Sequence, residues 1–227
     1  ALFRDFERLR QVLGRIRACY AGPFTVKCRL GDDPERWREP FLERLKLFED
    51  CGVDAVAVHP RFSTEKLKRR ARWREFSWIA EHTRLPVIGN GDVCSPSDIS
   101  GHPQYFGPLA GLMLGRIVVR KPWIFRDFSS SIIAPQIVDT HRPPAEPSGG
   151  AFGDPHPYAE VWDRLFRYTL EDMPPERAVG RMKEFTVYFS QNFFFGHELF
   201  KSVQRSRDVF EARDAALRFL TSNPQLA

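Results

Sequence analysis

Four short apolar runs in this chain end on residues with reactive or ligand-binding side chains. Phe24-Thr-Val-Lys-Cys-Arg-Leu30 carries Lys27 and Arg29, and Asp54-Ala-Val-Ala-Val-His59 leads into Pro60 and Arg61. Leu85-Pro-Val-Ile-Gly89 leads into Asn90, Gly91 and Asp92, and Gly111-Leu-Met-Leu114 into Gly115 and Arg116. Each end offers cations, or glycines that bare backbone N–H groups, and such groups converge most naturally on an anion such as phosphate. Lys27 lies between Val26 and Cys28 in a run that reads as a buried strand, so its ammonium is expected to point inward and to need a partner or a ligand. The plainer readings are an edge-strand lysine, a hydrogen-bonded core histidine at 59, and an ordinary tight turn over 89–92.

The elements that must position these residues alternate. Apolar residues at Phe3, Phe6, Leu9, Val12, Leu13, Ile16 and Cys19 predict an amphipathic helix that stops at Gly22-Pro23. A strand over 24–30 follows, then a turn over 31–34, a helix to about Cys51, and a strand over 54–59. A helix near 74–82, a strand over 85–89, a small helix after Pro96, a strand over 111–114 and a helix from about Pro122 complete the series. Short, nearly continuous apolar strands separated by helices are the pattern of parallel βα units, whose functional rim is the C-terminal end of the strands. Six prolines and three glycines between Pro135 and Pro157 read as a linker. Beyond it the chain turns helical, over 158–171, 175–195 and 197–220.

Composition narrows the class. The 227 residues include 42% apolar and 28% charged residues, enough for a packed core, and no apolar run reaches the length of a membrane span. The net charge of +5 is a mild bias toward polyanions. The four cysteines form no CxxC pair, which argues against structural zinc and for reduced thiols in a cytoplasmic protein. Cys28 and Cys94 read as small buried hydrophobes. Phe185, Phe189, Phe193, Phe194 and Phe195 read as helical core rather than as base-stacking surface. The chain starts at Ala1 as if already inside a helix.

The segments TVKCRLG (25–31), VHPRF (58–62), LPVIGNGDV (85–93) and GLMLGR (111–116) followed by PWIF (122–125) resemble the second half of the tRNA-dihydrouridine synthase barrel, in that family's order and spacing. The likeness covers residues 1 to about 130, and the later helices match only in character. The implied fold is α/β: a partial TIM-type (β/α)8 barrel (strands 5 to 8) over 1–134, a linker over 135–157 and an all-α domain over 158–227. The implied activity is FMN-dependent reduction of uridine to 5,6-dihydrouridine in tRNA, with NADPH as reductant. By the same resemblance, Lys27 lies at the N1/O2 edge of the flavin, and His59 contacts the cofactor or the extruded base. Asn90, Gly91, Asp92, Gly115 and Arg116 would cradle the FMN phosphate, with Arg29 and Arg61 on the rim.

Two departures stand out: Pro60 replaces a glycine of many members, and the first half of the barrel is missing. A full barrel takes about 250 residues. The family's acid, a cysteine in an Asn-x-Gly-Cys-Pro-like loop, is expected upstream of Ala1, so no catalytic residue is assigned within the chain. A fragment or a truncated gene is the expectation, with slow or no turnover and weak FMN retention unless the missing half is supplied.

The basic run 66–74 follows the His59 strand. Lys66, Lys68, Arg69, Arg70 and Arg72, with Arg61 and, in the helical part, Arg177 and Arg181, are the expected contacts to tRNA phosphates. A charge run alone is more often a solvated face; its position beside the rim decides for RNA. Two rival functions remain: a non-catalytic RNA-binding module derived from the family, and a small-molecule FMN barrel of the dihydroorotate dehydrogenase type. A monomer without a membrane partner is expected.

Overall fold

The computed structural model describes residues 5–65, 69–132, 157–222 and 224–226. The chain divides into two compact units, Ala1–Gly115 and Arg116–Ala227.

The first unit is α/β. Its order is α1 (Phe6–Cys19), β1 (Thr25–Gly31), α2 (Arg38–Asp50), β2 (Ala55–Phe62), α3 (Glu75–Glu81), β3 (Val87–Asn90), α4 (Pro96–Ser100), α5 (Pro103–Phe106) and β4 (Gly111–Met113). The strands form one parallel sheet in the order β1-β2-β3-β4, each neighbour reached through a helical connection, as parallel pairing demands. One face is packed: Cys28, Leu30, Val56, Val58 and Val87 bury against Leu9, Leu13, Phe41, Leu45, Phe48 and Ile79. Asp5 caps α1 by accepting from the Arg8 amide at 3.0 Å. At the other end of that helix Arg17 donates to the Gly52 carbonyl at 2.6 Å and to Asp54 Oδ2 at 2.7 Å, and the same carboxylate oxygen accepts from the Phe24 amide. One guanidinium thus ties α1 to the starts of β1 and β2.

The expected elements are present with shifted ends. β2 continues past His59 to Phe62, although Pro60 has no amide to give. The extension holds because the Arg72 amide donates to the Pro60 carbonyl at 2.9 Å and Arg61 finds a partner in the next loop. β3 runs 87–90 rather than 85–89. Cys28 is buried as expected, but Cys94 is exposed, on the loop after β3.

The second unit is helical: α6 (Arg116–Arg120), α7 (Ile124–Ile132), α8 (Pro157–Asp172), α9 (Pro175–Phe189), α10 (Gly196–Arg205) and α11 (Val209–Leu220). Trp162, Ala178, Met182, Phe189, Leu199, Val203, Ala212 and Ala216 make its core. Asp208 caps α11 by accepting from the amides of Phe210 and Glu211 at 2.9 and 2.8 Å. By compactness, α6 and α7 fall in this unit rather than before a break at 134. Arg120 on α6 donates to the Gln191 carbonyl at 2.6 Å, and Asn192 returns a bond to the Arg120 carbonyl at 2.7 Å. α9 ends at Phe189, short of the expected 195, and a single 3-10 turn over Ser190–Asn192 follows. That early end turns Phe194 and Phe195 outward, 68% and 58% exposed, so these two are not core; Phe189 and Phe193 are. The Pro/Gly segment 135–157 lies, apart from Pro157, outside the described residues. Among the described residues no helix is long and apolar enough to cross a membrane.

Candidate functional site

Register decides which of the residues singled out above meet. β1 pairs Lys27 with Ala57 and Arg29 with His59; β2 pairs Ala57 with Ile88 and Val58 with Gly89; β3 pairs Ile88 with Gly111 and Asn90 with Met113. Residues in register share a face of a parallel sheet. One row therefore reads Lys27, Ala57, Ile88, Gly111, and the row nearer the C-terminal ends reads Arg29, His59, Asn90, Met113. Both lie on the face opposite the packed core. Lys27 and Met113 on it are exposed, so the expected buried ammonium is not found. The flanking Cys28 is the buried neighbour, because alternation along β1 sends odd positions to the open face.

His59 sits deep in this row, 9% exposed. Burial holds its pKa down at about 4, helped by the positive charges of Arg61, Arg29 and Lys27 and opposed by Asp92. At neutral pH the ring is uncharged. Its Nε2 is buried with no hydrogen-bond partner, and so are Nε and Nη1 of Arg61. Buried nitrogens are normally satisfied, and these three fall together on two neighbouring side chains; Arg17 Nε and Trp162 Nε1, each by itself elsewhere, are the other unpaired ones among the described residues.

The turn after β3 is shaped around the same ring. Gly91 has φ +116°, and a Cβ there would fall 2.6 Å from His59 Cδ2. Asp92 follows at φ +58°, also left-handed, which an aspartate tolerates better than most side chains. The Gly91 carbonyl accepts from Trp73 Nε1 at 2.9 Å, and Asn90 Nδ2 donates to the Met113 carbonyl at 2.6 Å.

Two expected roles change. Arg61 is no surface cation for RNA: its residue is 3% exposed and its Nη2 donates to Asp92 Oδ2 at 2.5 Å. The Asp92 side chain is turned away from any such role, since the same oxygen also accepts from the Ala71 amide at 2.7 Å and a carboxylate would repel phosphate; only the backbone of this turn is left for an anion. Gly115 does leave open space where a Cβ would be, and Arg116, exposed, opens the second unit.

The basic run is only partly free. Arg72 is clamped by both carboxylate oxygens of Glu65, with its guanidinium 4.7 Å over the Phe62 ring. That bond, first, and the Phe62 amide hold Glu65 down at about 2. Arg69 and Arg70 are exposed; Lys66 and Lys68 lie outside the described residues. In the second unit Arg177 and Arg181 stand exposed one turn apart on α9, on the flank of the buried Ala178 and Met182. Sequence reasoning missed Glu65 and Met113. Register alone could have found Met113; nothing local marks Glu65 as the clamp on Arg72.

Known proteins match this chain. The family model described as Dihydrouridine synthase (Dus) covers residues 1–148. tRNA-dihydrouridine synthase B of Vibrio vulnificus is 33% identical over 127 residues, which is 56% of this chain and 38% of that protein. The proteins of the same name from Vibrio parahaemolyticus and Pseudomonas putida are 36% and 30% identical over 119 and 148 residues, 52% and 63% of this chain and 36% and 43% of theirs. The chain thus spans about two-fifths of the length of these relatives. With its parallel βα sheet and the shared motifs along it, the chain belongs to the dihydrouridine synthase family.

Proposed function

We propose that this chain supplies the cofactor-facing strands of an enzyme that reduces uridine to 5,6-dihydrouridine in tRNA, with FMN as its cofactor and NADPH as reductant. The observation that carries the reading is the set of unpaired buried nitrogens on His59 and Arg61, flanked by the cations Lys27 and Arg29. FMN, with its ring carbonyls, ring nitrogens and phosphate, is a ligand whose acceptors suit that set. When bound and reduced, it supplies the hydride for the C5=C6 bond of uridine.

The chain's own residues bind and orient. Lys27 sets a fixed positive charge on the open face, where it favours negative charge on the flavin ring. Neutral His59 can hydrogen-bond the cofactor or the base without adding charge. Asn90 and Gly91 make the turn that holds that imidazole, and Gly115 leaves room for close approach. A stacked uridine cannot reach a flavin on this face, so the base must leave the stack. Exposed Arg69 and Arg70 beside the rim, and Arg177 and Arg181 on the helical unit, are suited to phosphates in a sequence-independent way.

Titration of the chain with FMN, followed by quenching of flavin fluorescence, tests the reading. Saturable binding that weakens about tenfold or more in Lys27→Ala and His59→Ala is expected. Affinity unchanged from the parent chain in both variants overturns the cofactor site. Salt-sensitive tRNA binding without any FMN binding would favour the RNA-binding module instead.

A further inference from the structure

Away from the open face, the loop after β1 and the segment after β2 border an open cleft of about 540 Å³. Its size falls in the roughly 300–1,000 Å³ range of small-molecule sites. The walls include Trp37, Arg38, Phe62, Arg72, Arg74 and Glu75.

Two of its arginines lie over aromatic rings. Arg72 lies 4.7 Å over Phe62 and is clamped by Glu65; Arg38 lies 4.9 Å over Trp78 and 5.8 Å over Trp37, with Nη2 3.4 Å from Glu75 Oε2. Glu75 also accepts from Arg74 Nε at 3.1 Å. The glutamates offset the charge of these guanidinium groups, so the pocket carries little net pull on a phosphate. What it keeps is planar guanidinium surface, that of Arg72 fixed by Glu65, with donors and carboxylate acceptors at its border. Guanidinium planes of this kind stack nucleobases, and a base edge carries both donors and acceptors.

We propose that this cleft holds one nucleobase. Taking that base from the RNA substrate rests on the function proposed above; the adenine of a dinucleotide is the other source of the same chemistry. The site is separate from the row that carries His59, because its lining comes from the loop after β1 with the start of α2, the last residue of β2 and the segment that leads into α3, and includes none of Lys27, His59 or Asn90.

Trp37 in the wall gives the test its signal. The chain is titrated with adenosine monophosphate, uridine monophosphate, ribose 5-phosphate, NADPH, and a single-stranded oligoribonucleotide against its abasic counterpart. Tryptophan quenching that saturates with the base-bearing probes and not with ribose 5-phosphate or the abasic strand is expected. Arg38→Lys and Arg72→Lys, which keep charge and remove the plane, should weaken base-bearing probes about tenfold and leave the others unchanged, as loss of one stacked base would. Circular dichroism verifies that both variants fold. Oligonucleotide that competes with NADPH for the quench supports one shared site; oligonucleotide alone supports RNA as the source, and NADPH alone the dinucleotide. Equal binding of ribose 5-phosphate, or unchanged affinity in both variants, overturns the proposal. Filter binding of whole tRNA in parallel separates the two readings: tRNA retained without base-dependent quenching sinks the pocket alone, and tRNA not retained sinks the RNA function.

Discussion

Gly91 and His59 are fitted to each other: a methyl group at position 91 would lie 2.6 Å from Cδ2 and 2.7 Å from Nε2 of the imidazole, on a backbone with φ +116°. Gly91→Ala should therefore lose about 2–4 kcal/mol in urea unfolding, strain and clash together. Adding His59→Ser should restore the clash portion and leave the φ strain, so the double variant recovers only part. Full additivity of the two effects would show that the residues do not touch.

Arg61 and Asp92 form a pair with side chains 4% and 22% exposed. Asp92→Ala leaves a buried guanidinium without its counter-charge and should destabilise by about 3–5 kcal/mol. Arg61→Met with Asp92→Asn replaces the pair by groups of similar size and should fall well short of that loss. Chemical denaturation of the wild-type chain and the variants measures the difference.

Because folding holds the His59 pKa at about 4, below the ordinary 6.5, the unfolded chain binds the extra proton first as pH falls. Stability should be full above about pH 6.5, decline through the window down to about 4 by at most about 3 kcal/mol, and flatten below. His59→Gln should remove this slope; an unchanged profile in the variant would assign the slope elsewhere.

The Cys28 thiol is buried and pushed up to about 12, whereas Cys19 and Cys94 are exposed. A thiol reagent at about pH 8 should label Cys19 and Cys94 quickly and Cys28 only on unfolding. Mass spectrometry of the labelled peptides reads this directly.

For the proposed RNA interface, Arg69→Gln with Arg70→Gln should weaken tRNA binding without changing which tRNA is preferred. The slope of log affinity against log salt should shrink by about 0.7–0.9 for each phosphate no longer neutralised. An unchanged slope removes these two arginines from the interface.

The alternation of strand and helix and the family motifs are legible in the chain alone, and so are the residue types at the strand ends. Those are local properties: apolar runs, glycines before helices, cations at strand ends. What each cation faces comes only with the fold. Arg61, Arg69 and Arg72 look alike in the chain, yet one is buried on Asp92, one is exposed and one is clamped on Glu65 over Phe62. Lys27 reads as buried because its neighbours are apolar, and it lies exposed because pleating sends it to the face opposite the packed core. Phe194 and Phe195 read as core until the end of α9 at Phe189 breaks the helical period that would have turned them inward. Burial and ion pairing are set by partners many residues away, and a pattern within one segment carries no record of them.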